Sequence, residues 1–226
     1  MGNVSVAIDG PVGAGKSTIA RAAAGKLGYI YCDTGALYRA VALHCVRSGA
    51  DLKSPGEIAE KLPSAKAEIR LIDGVQRVFL NGEDVSDLIR TPEVSMAASA
   101  VSAVPEVRAA LLDIQRNIAA ENSVIMDGRD IGTVVLPNAN VKIFLTAAAE
   151  IRAKRRYDEL CAKGENVTFE EVLNDLNKRD YNDTHRDIAP LKQAEDAVLA
   201  DTSGMDFAQS VQLVCDIIAE KTKEQR

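Results

Sequence analysis

The 226-residue chain has no tryptophan, only two histidines and four cysteines, and just 4% aromatic residues. Cys32, Cys45, Cys161 and Cys215 lie far apart with no C-x-x-C pair, and only His44 and His185 could assist them. Neither a zinc site nor a disulfide framework is expected. An excess of basic residues is also missing. Lys and Arg number 27 against 33 Asp and Glu, and the net charge of -6 has the wrong sign for a general nucleic-acid binder. Any phosphate ligand must then be held by a few placed arginines against an acidic background, so each arginine's position is informative. No run approaches the ~18 apolar residues of a membrane span. The opening MGNVSVAIDG has no basic lead and no signal core, and Val6 stands where N-myristoylation wants Ser or Thr. A cytoplasmic protein with no membrane and no nucleic-acid partner is the expectation.

What is present is ordinary globular material, 46% hydrophobic and 27% charged, in a length that suits one large domain. SVAID reads as a short buried strand, and KSTIARAAAGKLG, stopped at Gly28, as a helix. YIYCD and TGALYRAVALHCVRSG repeat the pattern, which predicts an α/β fold with right-handed crossovers and a parallel sheet. The rhythm breaks at AEIRLIDGVQRVFLNGEDV (Ala67 to Val85). Apolar and polar residues alternate there around Asp73-Gly74 and Asn81-Gly82, predicting a small antiparallel meander inserted into the core. Helices are expected over EVSMAASAVSA and over PEVRAALLDIQRNIAAE, which Pro105 opens. The core rhythm then returns. SVIMD, VKIFL and AVLAD read as strands, and AEIRAKRRYDELCAKG, TFEEVLNDLNKRDYND (capped by Thr168) and DFAQSVQLVCDIIAEKTK as helices.

Gly10-Pro11-Val12-Gly13-Ala14-Gly15-Lys16-Ser17, followed by Thr18, matches G-x-x-x-x-G-K-[ST] between a strand and a helix. Glycines let successive N–H groups turn inward around phosphate oxygens, and the positive end of the helix dipole adds to the attraction. Lys16 would reach the β- and γ-phosphates of ATP, and Ser17 would ligate Mg²⁺. This motif does not by itself give the reaction. NKRD (Asn177 to Asp180) and DTSG (Asp201 to Gly204) imitate guanine-reading and switch motifs. They run in the wrong order for a GTPase, and NKRD falls within a helix, so both read as chance matches.

Two further stretches sit where an open α/β sheet binds ligands, beyond the carboxyl ends of its strands. In CDTGALYR, Arg39 lies one turn into a helix and can face a second anion; a helix-capping Thr34 with a solvated Arg39 is the alternative. In MDGRDIGTVVLP, a sharp turn between Gly128 and Gly132 carries Arg129 and Asp130. Arg129 could bind phosphate bidentately and Asp130 could accept from an exocyclic amine, or the two could brace the turn.

IDGPVGAGKST, DTGALYR, NGEDVSDLIRTPEV, DGRDIGTVVLPNANVKIFLTA and IAPLKQAEDAVLADT together resemble the bacterial cytidylate kinase family over nearly the whole chain. Adenylate kinases share the loop but lack this insertion. The resemblance implies a single P-loop kinase domain with a five-stranded parallel sheet flanked by helices. Residues 1–38 and 103–226 would be the core, 39–102 a monophosphate-binding part carrying the meander, and about 150–167 a lid. It implies ATP and Mg²⁺, with CMP and dCMP as acceptors, and a monomer. By similarity, Thr34, Arg39 and Arg129 would contact the CMP phosphate, and Ser99, Arg108 and Asp130 the cytosine. Arg179, Asp183 and Arg186 would hold the sugar and assist at the phosphate, while Arg152, Arg155 and Arg156 fall where lid arginines lie. Catalysis would rest on Lys16, Arg129, Arg155, Arg156 and Arg186, and ATP binding on Gly10 to Thr18 with Arg152 and Arg155. Thr34 stands where some relatives have serine, and Ser17 where several have glycine. Acceptors other than CMP, namely UMP or a small hydroxyl metabolite with Asp33 or Asp127 as base, and a nucleotide-dependent switch are the competing readings.

Overall fold

Val6, Ala7 and Ile8 are buried in succession, with no polar alternation, as in a strand covered on both faces. They form β1 (Ser5–Asp9), the central strand of the larger sheet. The computed structural model describes residues 2–224. After β1 the chain runs through α1 (Lys16–Leu27), β2 (Ile30–Asp33), α2 (Gly35–Arg47) and α3 (Pro55–Lys61). The meander strands β3 (Ala67–Ile72), β4 (Val75–Leu80) and β5 (Glu83–Asp84) follow, then α4 (Pro92–Val101) and α5 (Pro105–Glu121). The last part comprises β6 (Val124–Gly128), a π-helical turn (Ile131–Val135), β7 (Val141–Thr146), α6 (Ala149–Ala162), α7 (Phe169–His185), β8 (Val198–Asp201) and α8 (Phe207–Glu224).

The larger sheet is five-stranded and all parallel, in the order β2-β6-β1-β7-β8. Val6 to Asp9 pair in parallel with Val141 to Phe144, and Ile143 to Thr146 with Val198 to Asp201. The chain divides into two dense units, one of Ile30–Val124 with the N-terminal residues to Asn3, the other of Val4–Tyr29 and Ile125–Arg226. These boundaries lie outside the 39–102 span expected for a monophosphate-binding part. In the second unit, α8 buries Val211, Val214 and Ile218 and packs on α1, while Ala153, Leu160, Val172 and Leu176 join α6 to α7. The 150–167 segment expected as a lid consists mainly of α6. Thr168 starts α7 as expected, and its side chain accepts from Glu171 N–H while the Glu171 carboxylate accepts from Thr168 N–H, a complete capping box.

In the first unit the meander has the expected antiparallel pairing, Ala67 opposite Leu80 through Ile72 opposite Val75. Asp73 and Gly74 both take positive φ (52° and 75°), and so do Asn81 and Gly82 (52° and 85°), the conformation that tight hairpin turns need. The core of the unit gathers Leu37, Val41, Ile58, Val78, Leu80, Ile89, Val101 and Val107. Helix α3 is an element that the sequence reading leaves out. Ser54 accepts from Glu57 N–H and Pro55 fills the first helical position, a start signal too short to carry an apolar period. The sharp turn expected between Gly128 and Gly132 bends at Arg129 and Asp130 and runs on into the π-helical turn at Ile131. Among the described residues, no helix is long and apolar enough to cross a membrane.

Candidate active site

The glycine loop follows β1 and ends at the first residues of α1, all within the second unit. A Cβ on Gly10 would lie 2.0 Å from the Leu145 carbonyl oxygen, so only glycine lets β1 pass that close to β7 and still turn. Gly13 and Gly15 take φ of 74° and 82°, the left-handed region that glycine adopts without a Cβ clash and that a phosphate-cradling loop uses. Two charged side chains brace the loop from behind. Val12 N–H donates to Asp180 Oδ1 at 3.0 Å, and Arg152 Nη1 donates to Val12 O at 2.7 Å and to Asp180 Oδ2 at 2.6 Å. Arg152 also donates from Nε to Ala147 O at 2.8 Å and is buried. The structure therefore places Arg152 as a buried brace of the loop and not on a solvated helix face. Asp180, from the NKRD stretch, lies within α7 as expected.

Lys16 is buried, and its Nζ donates to Pro11 O at 2.7 Å. Burial, with the nearby Arg129 guanidinium adding, lowers its pKa to about 7. A cation so weakly held in its charged form is one that an anion stabilises strongly. Next to it, Ser17 Oγ donates to Asp127 Oδ2 at 2.9 Å. A hydroxyl at the start of the helix beside a strand-end carboxylate is the donor set by which P-loop enzymes hold Mg²⁺, so these residues fit that ion. Among the described residues, no cluster of three or more His, Cys, Asp or Glu is placed to hold a metal. Asp127, weighed from sequence only as a base, is the residue missed here. It ends an apolar run, SVIMD, but nothing local in the sequence sets that run beside the loop.

Arg129 and Asp130 follow β6 immediately. Arg129 Nε donates to Asp183 Oδ2 at 2.7 Å, and its Nη1 to Gly128 O at 3.2 Å. Arg186 Nη2 donates to Asp130 Oδ1 at 3.3 Å, with both side chains buried, and Arg186 Nε donates to Ala189 O at 2.6 Å. Arg179 is half-buried on α7. The turn that carries Arg129 and Asp130 is pinned by Asp9, which sequence reasoning passed over. Its carboxylate accepts from Ile131 N–H at 2.8 Å and Gly132 N–H at 2.7 Å. Burial raises the Asp9 pKa to about 6, against the pull of those two N–H groups. Of the other helix arginines, Arg155 donates to Thr202 O at 2.8 Å, and Arg156 pairs with Glu159 on the surface at 2.8 Å.

The remaining expected residues lie in the first unit. Thr34 precedes α2 and is buried, but its side chain makes no capping hydrogen bond, so the plain-cap alternative fails. Asp33 does the capping instead, accepting from Ala36 N–H at 3.1 Å, and it also takes Arg39 Nη2 at 2.7 Å. Arg39 Nε is buried with no partner, an orphan donor of the kind that an anion satisfies. Arg90, absent from the sequence reading, reaches to 4.0 Å from the same carboxylate. Ser99 is half-buried on α4, and Arg108 donates to Ser102 O at 3.1 Å with its guanidinium 5.5 Å from the Tyr38 ring centroid.

The cytidylate kinase family model matches residues 6–224. A protein named cytidylate kinase from Caldicellulosiruptor bescii is 49% identical over 225 residues, 100% of each chain. One of the same name from Carboxydothermus hydrogenoformans is 51% identical over 218 residues, 96% of this chain and 97% of the other. Among solved structures, a gluconokinase from Sinorhizobium meliloti is similar in fold, with a TM-score of 0.51 at 13% identity, covering 98% of this chain and 95% of that one. Full-length identity at this level leaves no part of the chain outside the relationship, and the chain belongs to the cytidylate kinase family, as a nucleoside monophosphate kinase.

Proposed function

We propose that the chain transfers the γ-phosphoryl group of ATP to CMP or dCMP in the presence of Mg²⁺, giving ADP and CDP or dCDP. The observation that carries this reading is the composition of the end of β6 and the turn after it. Asp127 with Ser17 offers a metal-binding pair, and Arg129 and Asp130 follow at once, each held by an ion pair from the α7 region. An arginine suits a phosphate and a carboxylate suits the exocyclic amine of cytosine.

No general base is needed. The acceptor phosphate has a second pKa of about 6 and is mostly dianionic at neutral pH. The obstacle is repulsion between two polyanions. Lys16 neutralises the donor phosphates, and Arg129 and Arg186, already oriented by carboxylates, stabilise charge on the transferring group. Bound Mg²⁺ supplies further charge neutralisation at the phosphates. Thr34 and Arg39 take the acceptor phosphate, Ser99 and Arg108 join Asp130 at the base, and Arg179 and Asp183 hold the sugar. Arg155 and Arg156 approach the donor, and Arg152 acts on ATP through the loop that it braces. The same reading carries a cytoplasmic, monomeric enzyme working on small molecules.

The test is ADP release from ATP and Mg²⁺ with each nucleoside monophosphate in turn. CMP and dCMP should be the best acceptors and UMP weaker. Absence of ADP formation with CMP would refute the proposal, and transfer to a sugar or small hydroxy acid alone would replace it.

A further inference from the structure

The meander β3–β5 has no part in the chemistry just described, yet one of its side chains reaches the strand end that orients Arg39. Gln76, in β4, accepts from Asp33 N–H through Oε1 at 2.7 Å and donates from Nε2 to Asp33 O at 3.1 Å. The side-chain amide grips both polar groups of one residue's backbone. Among side chains, only Gln and Asn place a neutral donor and acceptor side by side in this way, and Asn is one methylene shorter. Asp33 is the last residue of β2 and is buried. Its carboxylate in turn caps α2 at Ala36 and holds Arg39 Nη2.

We infer that Gln76 is a positioning residue for the acceptor phosphate, acting through Asp33 on Arg39, and that this is a function of the inserted meander. The inference rests on the reading of Arg39 as a ligand of that phosphate. Arg39 is held by this one carboxylate while its buried Nε has no partner, so the aim of the guanidinium depends on where Asp33 is set. A Cβ at position 35 would lie 3.1 Å from Arg39 Nη1, so the glycine there leaves open the space that this pose of the guanidinium uses. A purely structural brace would be needed equally by every ligand of the enzyme. A positioning residue is needed by the ligand that Arg39 touches.

The experiment compares Gln76→Met, which keeps length and apolar bulk but removes both hydrogen bonds, and Gln76→Ala, each alone and combined with Arg39→Ala. Steady-state kinetics with CMP and ATP and calorimetric titration of CMP in the absence of ATP are the readouts. Displacing a binding group by a fraction of an ångström is expected to raise KM and Kd for CMP about tenfold. KM for ATP should stay within about twofold, since Gln76 would touch only the acceptor's arginine. In the Arg39→Ala background the Gln76 substitutions should add nothing, because the residue through which they act is gone. Equal rises in KM for CMP and ATP, a full effect persisting without Arg39, or failure of both variants to fold would each assign Gln76 a structural role and overturn the inference. An unmodified chain that neither binds CMP nor transfers to it would instead remove the reading on which the inference rests.

Discussion

Ser17 Oγ lies 2.9 Å from Asp127 Oδ2, joining the first turn of α1 to the end of β6 in the second unit. A hydroxyl donating to a carboxylate already half-forms a cation site, since both oxygens need only turn their lone pairs to one metal. Ser17→Ala and Asp127→Asn should both raise the Mg²⁺ concentration needed for half-maximal rate, Asp127→Asn the more, because it also removes a charge. A shift of about tenfold is expected, in line with loss of one ligand or its partner. Chelation with EDTA should abolish turnover in the unmodified chain. Identical Mg²⁺ titrations for all three proteins would dissociate the pair from the metal.

Asp9 gives the chain a titration between ordinary carboxylates and histidine. Its folded pKa is about 6 against an ordinary 3.8. The folded chain keeps this proton over a range in which the unfolded chain has released it, so Asp9's contribution is fully present below about pH 4 and is lost as pH rises through about 6. Two units of difference correspond to about 3 kcal/mol. Melting temperatures from pH 4 to pH 7 should therefore carry a downward component that Asp9→Asn removes. Activity should move the other way, rising with ionisation of Asp9, because two N–H donors of the turn bearing Arg129 and Asp130 then face a full acceptor. A slope unchanged in Asp9→Asn would assign the pH dependence elsewhere.

The contrast between Asp9 and the glycine loop shows what a one-dimensional reading reaches. Gly10, Gly13, Gly15, Lys16 and Ser17 are legible because their chemistry depends on spacing within eight residues, and the parallel sheet because its strands are short apolar runs. Asp9 and Asp127 end two such runs, but their partners, Gly132 and Ser17, are 123 and 110 residues away. Nothing local marks them as functional. Arg152, Arg155 and Arg156 look alike as a basic stretch of one helix. Only packing against the loop shows that one is buried, one is tied to Thr202 and one is at the surface. Gln76 carries no chemical signature at all until β4 is set beside the end of β2.

Arg152 and Arg156 should thus separate cleanly by mutation. Removing Arg152 strips Asp180 of its ion-pair partner and the Val12 carbonyl of a donor, leaving a carboxylate largely shielded from water. Such losses cost about 3 kcal/mol, so Arg152→Ala should lower the melting temperature and weaken ATP binding together. Arg156→Ala removes an exposed i,i+3 pair and should change stability by less than about 0.5 kcal/mol. Comparable melting temperatures for the two variants would contradict the bracing role.

The depressed pKa of Lys16 makes donor binding a proton-coupled event. At about 7 in the free protein, Lys16 is mostly neutral at pH 8, and polyphosphate placed against it favours the charged form. Calorimetry of ATP binding in buffers of different ionisation enthalpy should show uptake of about one proton at pH 8 and far less at pH 6, where the amine is already charged. Lys16→Met should abolish the uptake. The same proton count in that variant would place the titrating group elsewhere.

Discrimination between bases should turn on Asp130. Its carboxylate is buried and paired with Arg186 at 3.3 Å. Cytosine presents an N–H donor at its exocyclic position, whereas uracil presents an oxygen there, which a carboxylate repels. Asp130→Asn supplies an amide that can donate to that oxygen, so it should shift the kcat/KM ratio of CMP to UMP toward UMP by about 5- to 150-fold, the range that one good base contact discriminates. Asp130→Ala should narrow the ratio without favouring UMP. Because either change leaves Arg186 without its carboxylate, melting curves and KM for ATP serve as controls, and only the acceptor ratio bears on base reading. A ratio unmoved by both substitutions would leave Asp130 as a counter-ion for Arg186 alone.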